Sequence, residues 1–475
     1  MSDIPTEITT VITGGAVVTM DGNRRVLDPG AVAIQADRIV AVGTPEEVLL
    51  QFPGASSIDL GHTMIMPGLI DTHGHAGHGM TKALDDGNDW LELVAQLYFQ
   101  ASDEEFWRAE SALSALEHLE FGVTTSLSMT GSMPRIDHPR YAKQAASGYA
   151  EFGLRHIVAL GPPNDTPPWL YTNVATGEQT SAGLDHALRT TAETIDLLHG
   201  THDGRISVFA GPSGLVSEVK NGKATDFSIE QMKAVVALAA EKDVNIHTHA
   251  YAGQVAAAAD TCPEILTERL CLAHCAGISL DEVRIMAETG VSASHGPLTN
   301  AFVRARFPVT EALEAGVNVV ISTDGSGPDR SFDLLAQGRI AAQLQRAHFA
   351  DTSILPAGKV LEMMTIDAAR ALGMQDQIGS LEAGKKADIT ALNLRSARMY
   401  PRLMIPQRIA YVGSGLDVEF VMVDGKVLME NRSFAHIDVD KILDDAQQAV
   451  MATLKRADRL DSLDQPVNMW GSVRY

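Results

Sequence analysis

The two ends of the chain share one pattern of apolar and polar positions. Between residues 9 and 43, apolar runs alternate with turn residues in VITGGAVVTMDGNRR and AVAIQADRIVAVG, where Gly14-Gly15 and Asp21-Gly22 are turn signals. Near the other end, KADITALNL and VEFVMVDGKVLMENR repeat the pattern around a third turn signal, Asp424-Gly425. The pattern predicts β-hairpins at both ends that together form one small β-sandwich domain.

The middle of the chain follows a different pattern. Short β-branched runs alternate with stretches such as SIEQMKAVVALAAEKD, whose apolar residues recur with helical spacing. The predicted strands are MPGLIDTHGH, VTTSLSM, RHIVALG, RISVFAG, VNIHTHA, LCLAHCA, VSASHG and VNVVISTDG. Eight strands alternating with helices predict an α/β fold, the (β/α)8 TIM barrel, in which the chemistry collects at the carboxyl ends of the strands.

These patterns divide the chain into three parts. We expect residues 1–65 and 380–435 to form the β-sandwich domain and residues 66–379 to form the barrel. Residues 436–475, which include DVDKILDDAQQAVMATLKRADRLDSL, are expected to form a C-terminal helical extension on the surface.

The composition is that of a folded, acidic protein. Of the 475 residues, 45% are hydrophobic, and 60 acidic against 37 basic residues give a net charge of −23. Because an acidic surface repels phosphate groups, we expect neither nucleic acid nor a membrane surface as a partner. The opening MSDIPTEITT lacks the segments of a secretory signal, and three cysteines do not make a disulfide framework, so we expect a cytoplasmic location.

Potential metal ligands lie at the ends of four predicted strands: His73, His75, His247, His249, His274 and Asp324. Strand residues two positions apart share a face, so each His-x-His pair converges on one point, and Asp71 is expected on the face of the first pair. A single strand histidine is usually a packed core residue. Four strand ends that direct nitrogen and oxygen ligands at one axis instead predict a site for a divalent metal.

The motifs MPGLIDTHGH, GVTTSLSM, LAHCAGISLDEV, VVISTDG and IGSLEAGKKADI occur in this order along the chain. Together they resemble the amidohydrolase superfamily, specifically its branch of deaminases and triazine hydrolases. A His-x-His motif alone is common, whereas its combination with the later histidines, STDG and the closing β-strands is highly specific. The resemblance implies a small-molecule substrate, and it implies a homo-oligomer because relatives commonly pair their barrels.

The resemblance also implies that four residues hold one divalent metal: His73, His75, His249 and Asp324. His247 is the alternative to His249, and Zn²⁺ is the default ion, although Fe²⁺, Co²⁺ or Mn²⁺ suits the same ligands. The family's two-metal members use a bridging lysine or another acid on the fourth strand, and RISVFAGPSG has no lysine, so one metal is expected. Catalysis would use a metal-activated hydroxide, with Asp324 as proton acceptor and His274 beside the reacting oxygen.

Four residues near the same end of the barrel are expected to contact the substrate. His78 follows the first His-x-His pair by three positions, and Trp169 lies in the loop GPPNDTPPWLY after the third strand. Tyr251 and His295 end the fifth and seventh strands.

One position departs from the family pattern. In ring-deaminating relatives, a glutamate three positions after the fifth-strand histidine protonates a ring nitrogen, whereas this chain has Ala252. The sequence therefore predicts a hydrolase of C–N bonds other than peptide bonds, acting on a small cyclic or aryl nitrogen compound such as an amide, urea or cyclic imide. A hydrolytic deaminase of an aminated purine, pyrimidine or triazine is the first alternative. A non-catalytic scaffold of the superfamily is the second.

Overall fold

The computed structural model describes residues 9–84, 90–130, 135–303, 305–434, 436–465 and 469–471. Its largest sheet has parallel strands paired in chain order: Leu69–Ala76, Val123–Thr130, Arg155–Leu160, Ile206–Ala210, Ile246–Tyr251, Leu270–Ala276, Ser292–His295 and Val319–Ile321. The chain after the last strand returns to the first, where the Asp324 amide donates to the His73 carbonyl oxygen at 3.0 Å. The predicted (β/α)8 barrel is confirmed.

Helices surround the barrel, and local sequence sets their ends. The Asp103 side chain caps one helix, Ser279 and Glu282 form a capping box on another, and Gly153 ends a third with φ of 85°. The outer layer includes Glu104–Glu120, Pro139–Phe152, Leu184–Leu198, Asp226–Lys242, Gln254–Thr261, Leu280–Thr289, Val309–Glu314 and Leu334–Phe349. Further helices are Pro45–Gln51, Trp90–Gln96, Thr201–Gly204, Pro297–Val303, Ala357–Glu362, Ile366–Ala371, Ile405–Val412 and Val439–Arg456. Short 3₁₀ or π segments are His78–Thr81, Leu97–Ala101, Pro263–Ile265, Gly415–Asp417 and Leu460–Leu463.

Two mixed sheets lie outside the barrel. The six-stranded sheet contains, from edge to edge, Lys426–Glu430, Val418–Val423, Ile389–Asn393, Thr63–Pro67, Ala16–Val18 and Val26–Leu27. The four-stranded sheet contains Arg38–Gly43, Gly30–Gln35, Thr9–Gly14 and Ser56–Asp59. Two short hairpins complete the strands: Trp169–Thr172 with Gln179–Ala182, and Val219–Lys220 with Lys223–Ala224. Because Thr63–Pro67 pairs with Ile389–Asn393, both chain ends contribute to one sheet, while the exact domain limits stay a prediction.

The predicted hairpin at Gly14-Gly15 is wrong. Thr9–Gly14 belongs to the four-stranded sheet and Ala16–Val18 to the six-stranded sheet, so the chain crosses between sheets at this point. A Cβ atom on Gly14 would lie 2.9 Å from Cδ1 of Ile65, so a larger residue here would require the Ile65 side chain to shift. The other turn signals join antiparallel strands, as Asp424-Gly425 does between Val423 and Lys426.

Side chains of the barrel strands alternate between its interior and the outer helix layer. An apolar cluster fills the interior toward the amino ends of the strands, with members Ile70, Leu127, Ile157, Phe209, Cys271 and Val320. Neighbouring strand residues such as Leu69, Leu272 and Ile321 pack into the larger outer core. This apolar layer leaves the carboxyl ends of the strands to polar side chains.

The last α-helix among the described residues is Val439–Arg456, capped by the Asp438 side chain. Its buried face, which includes Ala446, Ala449 and Leu454, packs against the helix Glu104–Glu120. None of the described helices combines the length and the apolarity needed to cross a bilayer.

Candidate metal centre

His73 and His75 leave the first barrel strand toward the same point. Residues 71–74 form a β-bulge relative to the second strand, and a bulge re-aims the side chains that follow it. Asp71, which was expected to share the histidine face, therefore points to the outer layer, where its Oδ2 lies 3.6 Å from Nε2 of His118. The expectation for Asp71 is wrong because strict alternation fails at the bulge.

The fifth strand brings two histidines to different depths of the site. Nε2 of His249 lies 3.2 Å from Nε2 of His75, and its Nδ1 lies 2.6 Å from the Ser213 carbonyl oxygen. Nε2 of His247 lies 2.8 Å from Nδ1 of His73. This hydrogen bond leaves Nε2 of His73 directed at the cluster. The geometry therefore groups His249 with the potential ligands and places His247 behind His73.

Asp324 approaches the same point from the loop after the eighth strand. Its Oδ1 lies 3.2 Å from Nε2 of His75 and 3.4 Å from Nε2 of His73. Burial opposes ionisation, but the neighbouring imidazoles of His73 and His75 outweigh it and hold the pKa of the Asp324 carboxyl well below its usual value. Asp324 is therefore a carboxylate at neutral pH.

His274 reaches the site through an unusual backbone conformation. Cys271 faces the barrel interior and Leu272 the outer layer, so regular alternation would point His274 outward. Its φ of 67° is left-handed, a conformation that costs a non-glycine residue about 1 to 3 kcal/mol and is found at functional sites. The ring consequently lies within 4° of parallel to that of His249, with centroids 5.1 Å apart.

The cluster has the donor chemistry of a metal site. Two sets of three ligand atoms each lie within 4.8 Å of one another: His73, His75 and His249, and His73, His274 and Asp324. Burial lowers the pKa of both His73 and His249, so these rings are neutral and have lone pairs to offer. Within the described residues, Nε2 of His73 is a buried atom with no hydrogen-bond partner. Imidazole nitrogens and one carboxylate suit a divalent transition metal.

Two of the predicted substrate contacts adjoin the cluster. The ring of His78 stacks on that of His75, with centroids 4.7 Å apart. A Cβ atom on Gly325 would lie 1.6 Å from Nδ1 of His78, so only glycine fits where these two loops meet. The half-buried Tyr251 ring lies within 11° of parallel to His274, at 5.9 Å.

The structure does not bring His295 and Trp169 to the cluster. Ser294 faces the interior, where its hydroxyl lies 2.7 Å from that of Thr72, so alternation turns His295 to the outer layer. There the His295 ring packs beside Phe307, with centroids 5.6 Å apart. Trp169 is buried in the outer core, and its indole N–H donates to a carbonyl oxygen of its own loop at 2.8 Å.

Two residues behind Asp324 were missed by reasoning from the sequence. Oγ1 of Thr299 donates to Oδ2 of Asp324 at 2.8 Å, and Nη1 of Arg330 donates to Oγ1 of Thr299 at 2.9 Å. Thr299 lies in the short helix after the seventh strand and Arg330 in the loop after the eighth. No periodic pattern marks them, because the conformation of such connections fixes their side-chain directions.

The amidohydrolase family model matches residues 64–428, and the chain therefore belongs to the amidohydrolase family. Residues 30–55 also match an imidazolonepropionase-like composite domain of bacteria. The chain is accordingly a hydrolase of C–N bonds other than peptide bonds.

Similar proteins carry deaminase and triazine hydrolase names. A 5-methylthioadenosine/S-adenosylhomocysteine deaminase of Desulfitobacterium hafniense is 32% identical over 90% of this chain and 94% of that protein. An S-triazine hydrolase of Gordonia rubripertincta is 30% identical over 94% of this chain and 96% of its own. An adenosine deaminase from Xanthomonas campestris, solved with bound zinc, shares the fold with a TM-score of 0.80, 24% identity and coverage of 94% and 99% of the two chains.

Proposed function

We propose that this chain is a mononuclear metal hydrolase that cleaves a C–N bond of a small cyclic or aryl nitrogen compound. The proposal is carried by the convergence of buried ligand atoms from separate barrel strands on one point. The proposed ligands are His73, His75, His249 and Asp324. The fourth strand, ISVFA, offers no side chain that would bridge a second ion, which supports a single metal.

Zinc is the proposed metal. Three imidazoles and one carboxylate suit the four-coordinate sites that zinc prefers, and Fe²⁺, Co²⁺ and Mn²⁺ accept the same donors. The adenosine deaminase from Xanthomonas campestris and the atrazine chlorohydrolase from Arthrobacter aurescens were both crystallised with zinc, and both share this fold.

The protein's own residues would divide the chemical work. When bound, the metal supplies a water of lowered pKa, and so a nucleophile at neutral pH. Asp324, which is ionised, would accept the proton of that water and return it to the leaving nitrogen as the C–N bond breaks. His274, parallel to His249 at the edge of the ligand group, would hold the attacking oxygen in place. Tyr251 and His78 are the proposed substrate contacts, since their rings adjoin the cluster.

Two substrate classes fit this chemistry, each through a different observation. The names of similar proteins favour an aminated N-heterocycle that loses ammonia. Ala252 favours a polarised carbonyl compound such as an amide, urea or cyclic imide, because these need no acid to protonate a ring nitrogen. Ala252 is exposed, and a Cβ atom built on Gly277 would lie 3.4 Å from that of Ala252.

The first experiment combines elemental analysis of the purified protein with product assays. Ammonia release is measured on a panel of aminated heterocycles, and amine release is measured on simple amides and aryl ureas. About one metal per chain with turnover of either panel supports the proposal. Absence of bound metal would contradict the ligand assignment, and bound metal without turnover of any compound would favour the non-catalytic scaffold.

We also propose that the protein is a homo-oligomer, and light scattering of the purified protein tests this.

Ala252→Glu tests which substrate class applies. If the missing acid limits ring deamination, the variant should gain ammonia release from aminated heterocycles by about 10²-fold, the low end of general acid catalysis. Ala252→Gln is the matched control, because it has the same length without the proton. Equal gains in both variants would attribute the effect to side-chain size. A gain in Ala252→Glu alone would support the carbonyl class for the natural chain, and no gain in either variant would remove the argument that Ala252 makes for that class.

A further inference from the structure

Two connections between barrel elements contact the carboxylate of Asp324: a short helix and the loop after the eighth strand. Oγ1 of Thr299, in the helix Pro297–Val303, donates to Oδ2 of Asp324 at 2.8 Å. Oδ1 of Asp324 accepts the amide hydrogen of Gly325 at 2.7 Å and is the oxygen that lies nearest His75. The two oxygens therefore have different partners, and Oδ1 is the one that lies nearest His73 and His75.

The direction of these hydrogen bonds is fixed by Arg330. Its Nη1 donates to Oγ1 of Thr299 at 2.9 Å, and a guanidinium group can donate but never accept. The Thr299 hydroxyl must therefore use its own hydrogen for Asp324. The resulting chain runs from Arg330 through Thr299 to Asp324 in one direction only.

Arg330 is itself locked in place. Its Nε donates to the carbonyl oxygen of Gly325 at 2.9 Å, and its Nη2 donates to that of Gly327 at 2.5 Å. Its side chain is 7% exposed, and Nη1 lies 3.8 Å from Oδ2 of Asp324. A planar guanidinium with its donors divided among separate acceptors cannot be replaced by the single ammonium group of lysine without losing contacts.

We propose that Thr299 and Arg330 are positioning residues that keep one oxygen of Asp324 directed at the metal. This inference rests on the proposed function, in which Asp324 is a metal ligand. Partners that orient a ligand from behind typically change metal affinity by about 10- to 100-fold when they are removed. Neither residue touches the substrate in this scheme, so their loss should act through the metal site.

The test measures zinc affinity by competition with a coloured chelator, using the purified full-length protein after metal removal. Thr299→Val should weaken zinc binding by about 10- to 100-fold, whereas Thr299→Ser, which keeps the hydroxyl, should stay near wild type. Arg330→Met should weaken zinc binding as well. Arg330→Lys should have a zinc affinity between those of wild type and Arg330→Met. The visible spectrum of the cobalt-loaded protein should change in Thr299→Val and return in Thr299→Ser.

Controls separate positioning from general damage. Thr191→Val removes a buried hydroxyl that donates to the carbonyl oxygen of Ala187 in its own helix, outside the metal site. Arg346→Lys changes an arginine that, like Arg330, donates to a loop carbonyl oxygen. Both should keep wild-type zinc affinity. Should Thr299→Val fail to fold, Arg330→Met provides the same test.

Asp324→Asn distinguishes the two levels of the proposal. If Asp324→Asn binds zinc as tightly as wild type, the proposed ligand set fails. If Asp324→Asn weakens zinc binding while folded Thr299→Val and Arg330→Met do not, only the positioning role is overturned.

Discussion

Buried ionisable side chains gather at both ends of the barrel, and the two clusters are built differently. At the amino end, Nη2 of Arg155 lies 2.7 Å from Oδ1 of Asp424 and 3.4 Å from Oδ2 of Asp388. Arg205 and Lys386 reach the same Asp424 carboxylate, each at 3.5 Å. Positive and negative groups here neutralise one another, and they join the barrel to the six-stranded sheet.

At the carboxyl end one cation, Arg330, lies 3.8 Å from Oδ2 of Asp324, and the other side of this carboxylate meets imidazole rings. There Asp324 faces several imidazole rings that burial keeps neutral, including His73 and His249. The ligand atoms of His73, His75 and His249 lie within 4.8 Å of one another. The difference teaches that burial and charge alone do not mark a functional site. A cluster that pairs its own charges stabilises the fold, whereas one that leaves converging lone pairs is arranged to bind an ion.

Among the predicted effects, removal of a proposed metal ligand should be the largest. His249→Ala should lose the metal and lower kcat/KM by about 10³-fold or more, because the metal supplies several kcal/mol to the reaction. Elemental analysis and steady-state kinetics measure both. His199→Ala, which changes an exposed histidine bonded to Val208, is the control and should keep its metal. One metal per chain in His249→Ala would contradict the ligand assignment.

Breaking the amino-end cluster should have the opposite profile. Arg155→Met leaves Asp388 and Asp424 buried without their closest cation, which should lower the free energy of unfolding by about 3 to 5 kcal/mol. Zinc affinity of the folded variant should be unchanged. Denaturant unfolding and chelator competition provide the two readouts. If Arg155→Met binds zinc more weakly but is as stable as wild type, the proposed separation between a stabilising cluster and a metal-binding cluster is wrong.

Glu110 is a buried acid outside both clusters. Its Oε1 accepts the Ser114 hydroxyl at 2.6 Å, and burial raises its pKa from 4.5 to about 7 although the Gly77 and Gly79 amides oppose this. Since the folded state holds this proton more tightly, the associated stability is complete below pH 4.5 and is lost as pH rises to about 7. This pKa change corresponds to roughly 3 kcal/mol.

Glu110→Gln should remove that pH dependence. The difference in unfolding free energy between variant and wild type, measured by denaturant titration at pH 5 and pH 8, should favour the variant more at pH 8. A difference that does not vary with pH would show that Glu110 titrates normally. Ser114→Ala should change stability without removing the pH dependence.

The smallest predicted effect concerns His247, which forms a hydrogen bond with the proposed ligand His73. His247→Phe keeps a ring of similar shape but loses the 2.8 Å hydrogen bond to Nδ1 of His73, so zinc affinity should fall by about 10- to 100-fold. His156→Phe is the matched control, because His156 is fully buried in another barrel strand and bonds to Ser126 and Ser128. Equal zinc affinity in the two variants would remove His247 from the metal site.

Periodicity predicted the parts of the structure that are regular. The eight barrel strands and the hairpin at Asp424-Gly425 follow from alternation and turn residues, and both were confirmed. Regular spacing also marked His73 and His75, although the same rule placed Asp71 wrongly because a bulge cannot be seen in the pattern. Gly14 was taken for a hairpin turn because a glycine where the chain crosses between two sheets looks the same in sequence.

The rest of the site depends on conformations that one sequence does not encode in a visible way. A left-handed φ turns His274 toward the cluster, whereas regular alternation carries His295 away from it. His247 and His249 share one face of their strand, so only depth along the barrel separates them. Thr299 and Arg330 belong to connections whose path is set by tertiary packing.

The pairing of Thr63–Pro67 with Ile389–Asn393 has a consequence for protein synthesis. Thr63–Pro67 is translated early, and it cannot pair with Ile389–Asn393 until most of the chain has been translated. Neighbouring barrel strands, by contrast, find their partners in the order in which they emerge. A product truncated before residue 389 would carry every barrel strand and still expose a strand edge beside the apolar Met64 and Met66, which favours aggregation.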